Sequence, residues 1–204
     1  MYFKSKRLGL TKLPHSPHMI VPRLVTEKTK VLDVGCNAGY IGRFLKESKQ
    51  CLCDGIDIDK QLLRLAKPYY RSLYEIDLYQ DKFTISKKYD FILFIDILEH
   101  LPTPEKILKK LVKENLDKGG KVIVCLPNIA RFELRLKHLF GNFDYQPGIM
   151  NEDHLKFYTL KTGKKMIKEC GLKIEKILPT GLGHYFKVLP SLIAFQFIYV
   201  CSKQ

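Results

Sequence analysis

Tryptophan is absent from the 204 residues, and no stretch reaches the ~18–20 consecutive apolar residues that a membrane-spanning helix needs. The nearest run, Val188 to Val200, is interrupted by Pro190, Ser191 and Gln196, and its β-branched and aromatic content reads as a buried closing strand. MYFKSKRLGLTKLPHSPH carries charge but no apolar core, so a signal peptide is not expected and the cytoplasm is the expected location. None of the six cysteines (Cys36, Cys51, Cys53, Cys125, Cys170 and Cys201) has paired CxxC spacing, and no histidine cluster completes a zinc module. They read as structural thiols in a reducing compartment, with Cys51 and Cys53 on one face of a strand. Internal repeats and low-complexity tracts are also missing. Acidic residues are few: 21 Asp and Glu stand against 35 Lys and Arg, a formal charge of +14. Such a charge attracts nucleic acid, anionic lipid or phosphorylated ligands. The lysines, however, recur at helical spacing, as in Lys106, Lys109, Lys110 and Lys113 and again in Lys161, Lys164, Lys165 and Lys168, which is the mark of solvated faces. Nucleic acid is therefore kept only as a secondary partner.

What is present is a globular composition, 46% hydrophobic, in a chain long enough for one domain with its own core. Short apolar runs alternate with helical patterns, which predicts βαβ units and a mostly parallel, doubly wound sheet of seven strands with an antiparallel last strand. Strands are expected at Lys30–Val34, Cys51–Ile56, Ser72–Ile76, Tyr89–Ile95, Lys121–Leu126, Leu172–Leu178 and Ala194–Cys201. Helices are expected at Gly39–Ser48, Lys60–Lys67 (capped by Asp59 and stopped by Pro68), Glu105–Lys113, Ala130–Leu139 and Thr159–Cys170. Two segments of the single domain 1–204 stand apart: an N-terminal lid over 1–28 and an insertion over 127–158 whose long aromatic loop reads as functional.

The densest chemistry lies in VLDVGCNAGYIGRFL, Val31 to Leu45, where a strand runs through a glycine loop into a helix. Gly35 and Gly39 let the backbone approach a ligand closely, and the helix start offers N–H groups to an acidic group. Asp57 follows 22 residues after Gly35 at the end of the second strand, where a carboxylate can accept from both hydroxyls of a ribose. Asp77 with Leu78 closes the third strand, and DILEHL, Asp96 to Leu101, closes the fourth at the middle of the ligand cleft. A nicotinamide site would share the loop and Asp57, but a full G-x-G-x-x-G is missing.

VLDVGCNAGYIGRFL, GIDID, YDFILFIDILEHLPTPEKIL and KGGKVIVCLPNIA together resemble the class I S-adenosylmethionine-dependent methyltransferases over nearly the whole chain. SPH (Ser16 to His18), PNIA (Pro127 to Ala130), GNFDYQPGIMNEDHLKFYT (Gly141 to Thr159) and FQFIYVCSK resemble a bacterial and archaeal subgroup that often accompanies sugar and polysaccharide enzymes. The resemblance implies a Rossmann-like fold and S-adenosylmethionine as methyl donor. By it, Gly35, Cys36, Asn37 and Gly39 hold the methionine part, and Asp33 belongs to the same set. Asp57 takes the ribose, Ile58 packs on the adenine, Asp77 and Leu78 line the adenine pocket, and Asp96 and Ile97 sit near the sulfonium. Asn37 stands where a second loop glycine is common; asparagine tolerates positive φ better than most residues, so the loop should survive.

On the acceptor side, a hydroxyl nucleophile benefits from a general base. His100 leads, His154 follows, and His18 is read with Asn128, Tyr145, Phe157 and Tyr158 as substrate-binding. Asp96, Glu99 and His100 form D-x-x-E-H, similar to the E-x-x-E-H of some quinone-pathway methyltransferases; a cleft wall is the simpler account, and no metal ligand is assigned. The expected reaction is O-methylation of a small molecule such as a sugar or glycan precursor. The alternatives are metal-assisted O-methylation of a quinone-like ring and an RNA acceptor, the latter with Arg131, Arg135 and His138 positioned for phosphates, although no RNA-binding module, Asp/Asn-Pro-Pro-aromatic motif or Pro-Cys is present. A non-catalytic binding module is disfavoured by the intact Asp57 and Asp96.

Overall fold

The computed structural model describes residues 15–80, 82–184 and 189–204. Seven strands form one sheet: β1 Lys30–Val34, β2 Leu52–Asp57, β3 Ser72–Glu75, β4 Tyr89–Ile95, β5 Leu116–Pro127, β6 Leu172–Pro179 and β7 Gln196–Lys203. Their order is β3-β2-β1-β4-β5-β7-β6. β7 runs antiparallel to both β5 and β6, while the pairings among β1 to β5 are parallel, as the alternation of runs predicts.

Period-two alternation sends successive side chains to opposite faces, and both faces are covered. Leu32, Val34, Ile92, Phe94, Val122 and Val124 face one layer, packed under helices α4 (Pro104–Asn115) and α6 (Leu160–Glu169). Val31, Phe91, Leu93, Ile95, Ile123 and Cys125 face the other. Helices α1 (Pro17–Leu24), α2 (Tyr40–Lys49) and α3 (Lys60–Ala66) cover that layer through Val21, Ile41, Leu45, Leu63 and Ala66. Cys51 and Cys53 are both buried there, as core thiols. Residues 1–14 of the expected N-terminal lid lie outside the described residues; of the rest, α1 is anchored by buried Val21 and Val25.

Local chemistry sets most boundaries. Asp59 caps α3, accepting from the N–H groups of Gln61 at 2.7 Å and Leu62 at 3.2 Å. Thr159 caps α6 through a reciprocal box with Thr162, and Gly171 follows at φ 76°. Three starts differ from expectation by two residues or more. β5 begins at Leu116, not Lys121, because Leu116 pairs with Tyr89 across a register shift before the regular ladder resumes at Lys121. The next helix, α5, covers Phe132–Leu139 and starts two residues late, since the side chain of Asn128 holds the N–H of Ala130 in a turn. A short helix, α7 (Pro190–Ile193), precedes β7, so the closing strand starts at Gln196 rather than Ala194.

The edge of the sheet is tied by Asp54, fully buried on β2, which accepts from Arg71 (2.8 and 3.0 Å), Lys87 (3.0 Å) and the Tyr89 hydroxyl (2.9 Å). Burial alone would raise its carboxyl, but these donors together outweigh that and hold it below the usual carboxylate range. The stability so gained is present above pH 3.8 and is lost as pH falls through the lowered value. Asp54→Asn should therefore destabilise the fold by about 1–2 kcal/mol at neutral pH, less than a sealed ion pair because Arg71 and Lys87 keep contact with water. Denaturant unfolding at pH 7 should show this, with the difference from the parent shrinking in acid.

Candidate functional site

The strand order reverses between β1 and β4, and open sheets of this kind bind ligands at the carboxyl ends beside that reversal. A cavity of about 1240 Å³ opens there. Its floor is the β1–α2 loop. Gly35 (φ 78°), Asn37 (φ 50°) and Gly39 (φ 87°) all adopt left-handed backbone. A Cβ on Gly35 would stand 3.0 Å from the side chain of Ile97, and one on Gly39 would stand 3.0 Å from Ala66 and Tyr70. Glycine is thus required at both places by conformation and by packing. Ile97 thereby couples the first loop to the turn after β4.

Asp33, 3% exposed and one residue before the end of β1, accepts from the Tyr70 hydroxyl at 2.6 Å. The same hydroxyl accepts from the N–H of Gly42 at 3.1 Å, closing a chain from carboxylate to the first turn of α2. Burial pushes the Asp33 carboxyl up to about 6, opposed by the Tyr70 hydrogen bond and reinforced by the charge of Asp57. Asp57, at the tip of β2, accepts from the N–H of Asn37 (2.8 Å) and of Asp59 (2.9 Å), so it also braces the glycine loop. Ile58 beside it is an exposed apolar side chain at 46%. Asp77 accepts from the N–H of Tyr79 at 2.9 Å in a tight turn, and Leu78 is buried. Asp57, Ile58, Asp77 and Leu78 lie at the strand tips beyond the cavity wall, while Asp33, Gly35, Cys36, Asn37 and Asp96 line it.

The opposite wall is built by the turn after β4. Asp96 takes φ 52° and accepts from Gln196 Nε2 at 2.6 Å. Leu98–His100 forms one 3₁₀ turn. Its carbonyls clamp the neighbouring loops. Glu99 O accepts from the N–H groups of Leu155 (2.8 Å) and Lys156 (3.0 Å), and His100 O accepts from the Tyr79 hydroxyl (3.0 Å). The clamp on Glu99 carries the 141–158 loop over the cavity and sets His154 edge-to-face on His100, ring centroids 4.7 Å apart. The two histidines expected as acceptor-side groups are therefore neighbours. His18, from α1, and Tyr145 also line the cavity.

Two expected substrate residues are corrected. Asn128 is fully buried and commits its amide to the main chain, donating to the carbonyls of Ser191 (2.9 Å) and Ala194 (3.0 Å). Tyr158 packs into the sheet core and pairs with Asn128 as an isolated bridge. Both brace the turn after β5 and neither reaches the cavity. Phe157 is partly exposed near His154 but outside the lining. Glu99, read within D-x-x-E-H as part of a cleft wall, does line the cavity; Arg131, read only as a phosphate contact, and Gln196, which had no expected role, line it too. Glu99 alone had a local signal, in D-x-x-E-H; Gln196 and Arg131 arrive through distant chain segments.

The charge of this wall is opposite to that of the molecule. Asp33, Asp96, Glu99, Glu152 and Asp153 line the cavity against one arginine and, among the described residues, no lysine, in a chain of net charge +14. A cavity of this sign suits a cationic ligand, and the first turn of α2 beside it, with Tyr40 and Ile41 in the lining, suits that ligand's acidic end.

A family model described as a methyltransferase domain matches residues 10–177. The chain belongs to the S-adenosylmethionine-dependent class I methyltransferases. It is similar to the tRNA U34 carboxymethyltransferase of Nautilia profundicola, 31% identical over 113 residues that cover 52% of this chain and 37% of the relative. It is also similar to the ubiquinone biosynthesis O-methyltransferase of Idiomarina loihiensis, 30% identical over 108 residues, 48% of this chain and 42% of the relative. The match thus spans less than half the length of either relative. Among solved structures, a TehB-like methyltransferase from Corynebacterium glutamicum superposes with TM-score 0.61 at 16% identity, covering 92% of this chain and 86% of that one. The small RNA methyltransferase HEN1 gives TM-score 0.70 at 14% identity, covering 92% of this chain and 25% of that one. No helix among the described residues of the methyltransferase is long and apolar enough to cross a membrane.

The raised Asp33 carboxyl has a thermodynamic consequence. The folded chain holds this proton more tightly than the unfolded chain, so the neutral carboxyl stabilises the fold fully below pH 3.8 and the contribution is lost as pH rises through about 6. Asp33→Asn keeps an acceptor for Tyr70 and removes the ionisation. Without ligand, it should gain on the order of 3 kcal/mol over the parent between pH 4 and pH 7, measured by denaturant unfolding across that range.

Proposed function

We propose that this methyltransferase methylates a hydroxyl oxygen of a small polar acceptor such as a sugar or glycan precursor. The observation that carries the reading is the carboxylate-lined cavity at the switch point of a strongly cationic protein. The residues fit S-adenosylmethionine: a ligand with a sulfonium and an ammonium meets Asp96 and Asp33, and its carboxylate meets the start of α2. Asp57 and Ile58, at the tip of β2, serve the ribose and adenine, with Asp77 and Leu78 beyond them. Bound there, the cofactor supplies an electrophilic methyl group on a positively charged sulfur.

The chain's own part is orientation and proton removal. Methylation of a hydroxyl forms a C–O bond, breaks a C–S bond, leaves the electron pair on sulfur and releases one proton. The histidine pair lies where that proton must leave. His100 Nδ1 faces the carbonyl of Asp153 at 3.0 Å and His154 Nδ1 faces that of Ile149 at 2.8 Å. A carbonyl only accepts, so each Nδ1 donates and each neutral ring presents its lone pair at Nε2. Tyr145 and His18 give the acceptor an aromatic and polar surround.

A second reading, RNA as acceptor, is favoured by a groove outside the cavity that Arg135, Lys161, Lys164, Lys165 and Lys168 line, and by the tRNA-modifying relative. Retention on RNA that falls steeply with salt would support it; retention absent at low salt returns the groove to a solvated face.

Calorimetry should detect binding of S-adenosylhomocysteine. Asp57→Ala should weaken it by roughly tenfold or more, through lost ribose contacts and a slackened loop. Affinity for S-adenosylmethionine should rise with pH through about 6 as Asp33 ionises, and Asp33→Asn should flatten that rise. His100→Ala and His154→Ala should each cut turnover of a hydroxyl acceptor about a hundredfold while leaving S-adenosylhomocysteine affinity in place. Labelled methyl transfer to a panel of sugars and RNAs decides the acceptor, and undiminished turnover in both histidine variants would remove the proton-transfer role.

A further inference from the structure

Glu99 is 1% exposed, and neither carboxylate oxygen has a hydrogen-bond partner among the described residues. An isolated buried carboxylate is costly unless something pairs with it. Yet it is built into the cavity wall on a turn whose backbone is clamped on both sides, which keeps it from swinging to water.

Its neighbours are suited to a different partner. One ligand atom each from Glu99, His100 and His154 lies within 4.8 Å of the others. The two Nδ1 atoms are engaged with the carbonyls of Asp153 and Ile149, the outer hydrogen bond that orients a metal-bound imidazole and leaves Nε2 as the ligand atom. The surrounding lining, with Asp96, Glu152 and Asp153, adds negative charge and, among the described residues, no lysine to compete. We propose that Glu99, His100 and His154 form a divalent-cation site on the acceptor side of the cavity. One carboxylate and two imidazoles suit Mn²⁺, Fe²⁺, Co²⁺ or Zn²⁺ and leave coordination positions open to the cavity.

For its catalytic role the site rests on the methyl-transfer reading. An acceptor hydroxyl bound to the ion is acidified and loses its proton to solvent. The resulting oxygen forms the C–O bond as the C–S bond breaks, with the electron pair staying on sulfur. The proton removal assigned to the histidines above then passes through the ion that they hold, and Glu99 gains a partner that it lacks among the described residues.

The test uses the full chain, stripped with chelator and then dialysed. Titration with Mn²⁺, followed by electron paramagnetic resonance of the free ion, should saturate at one ion per chain. Glu99→Gln and His154→Ala should each weaken binding by at least roughly tenfold. Mn²⁺ should raise the melting temperature of the parent and leave that of Glu99→Gln unmoved, which also shows the variant to be folded. No Mn²⁺ or Zn²⁺ bound at millimolar concentration, or equal affinity in Glu99→Gln, would overturn the site. S-adenosylhomocysteine binding measured in parallel keeps the two readings apart: its presence without Mn²⁺ binding rejects the cation site and spares the methyltransferase reading, and the reverse result does the opposite.

Discussion

Two carboxylates held away from water shape this molecule. Asp33 lies one residue before the end of β1 and Glu99 in the turn after β4, on opposite sides of the switch point, and each is nearly inaccessible. Asp33 has one strong donor, the Tyr70 hydroxyl, and Glu99 has none among the described residues. A fold selected for stability alone would replace both with apolar or neutral groups. Their retention makes sense if the missing partners arrive as ligands: positive charge from a sulfonium compound at one, a metal ion at the other. The cost borne by the empty cavity becomes differential affinity for what fills it.

That cavity could not exist on a uniformly charged body. The lysines occupy solvated faces, as on α4 and α6, where their charge is screened over about 8–10 Å at ordinary ionic strength. The carboxylates sit in the crevice, where screening is weaker, so the local sign is set by Asp33, Asp96, Glu152 and Asp153 in spite of the net +14. An acidic small-molecule site and a basic exterior are therefore compatible, and the overall charge says little about the acceptor.

How much of this was legible beforehand depends on the range of the interactions. β1 and β4 fall where their apolar runs place them, and β2 and β3 within a residue, since a parallel strand covered on both faces is written as a continuous run. The Asp59 cap and the glycine loop are local too, and both occur as expected. The early start of β5 was not legible, because it depends on Leu116 meeting Tyr89 across the sheet. Asn128 was misjudged for the same reason: a polar residue following a strand looks available to substrate, but its acceptors lie 63 and 66 residues away in the chain. Glu99 was visible as a letter in D-x-x-E-H, whereas its isolation is a property of the packed structure.

The geometry of the turn after β4 shows why these pieces belong to one device. Asp96 accepts a left-handed backbone, uncommon for a residue with a side chain. That bend separates the strand direction from the 3₁₀ turn that follows, so Asp96 lines the cavity beside Gln196 while Glu99 and His100 line it next to the loop that carries His154. The carbonyl of Glu99 then takes both Leu155 and Lys156, so the residue that presents the buried carboxylate also fixes the loop that brings His154. Ile97, between them, rests on Gly35 and ties the same turn to the cofactor loop. A shift of this one turn would move the glycine loop and the His154 loop together, which is the property a transfer between two bound molecules requires, since the reacting atoms must be held in line at about 3–3.5 Å.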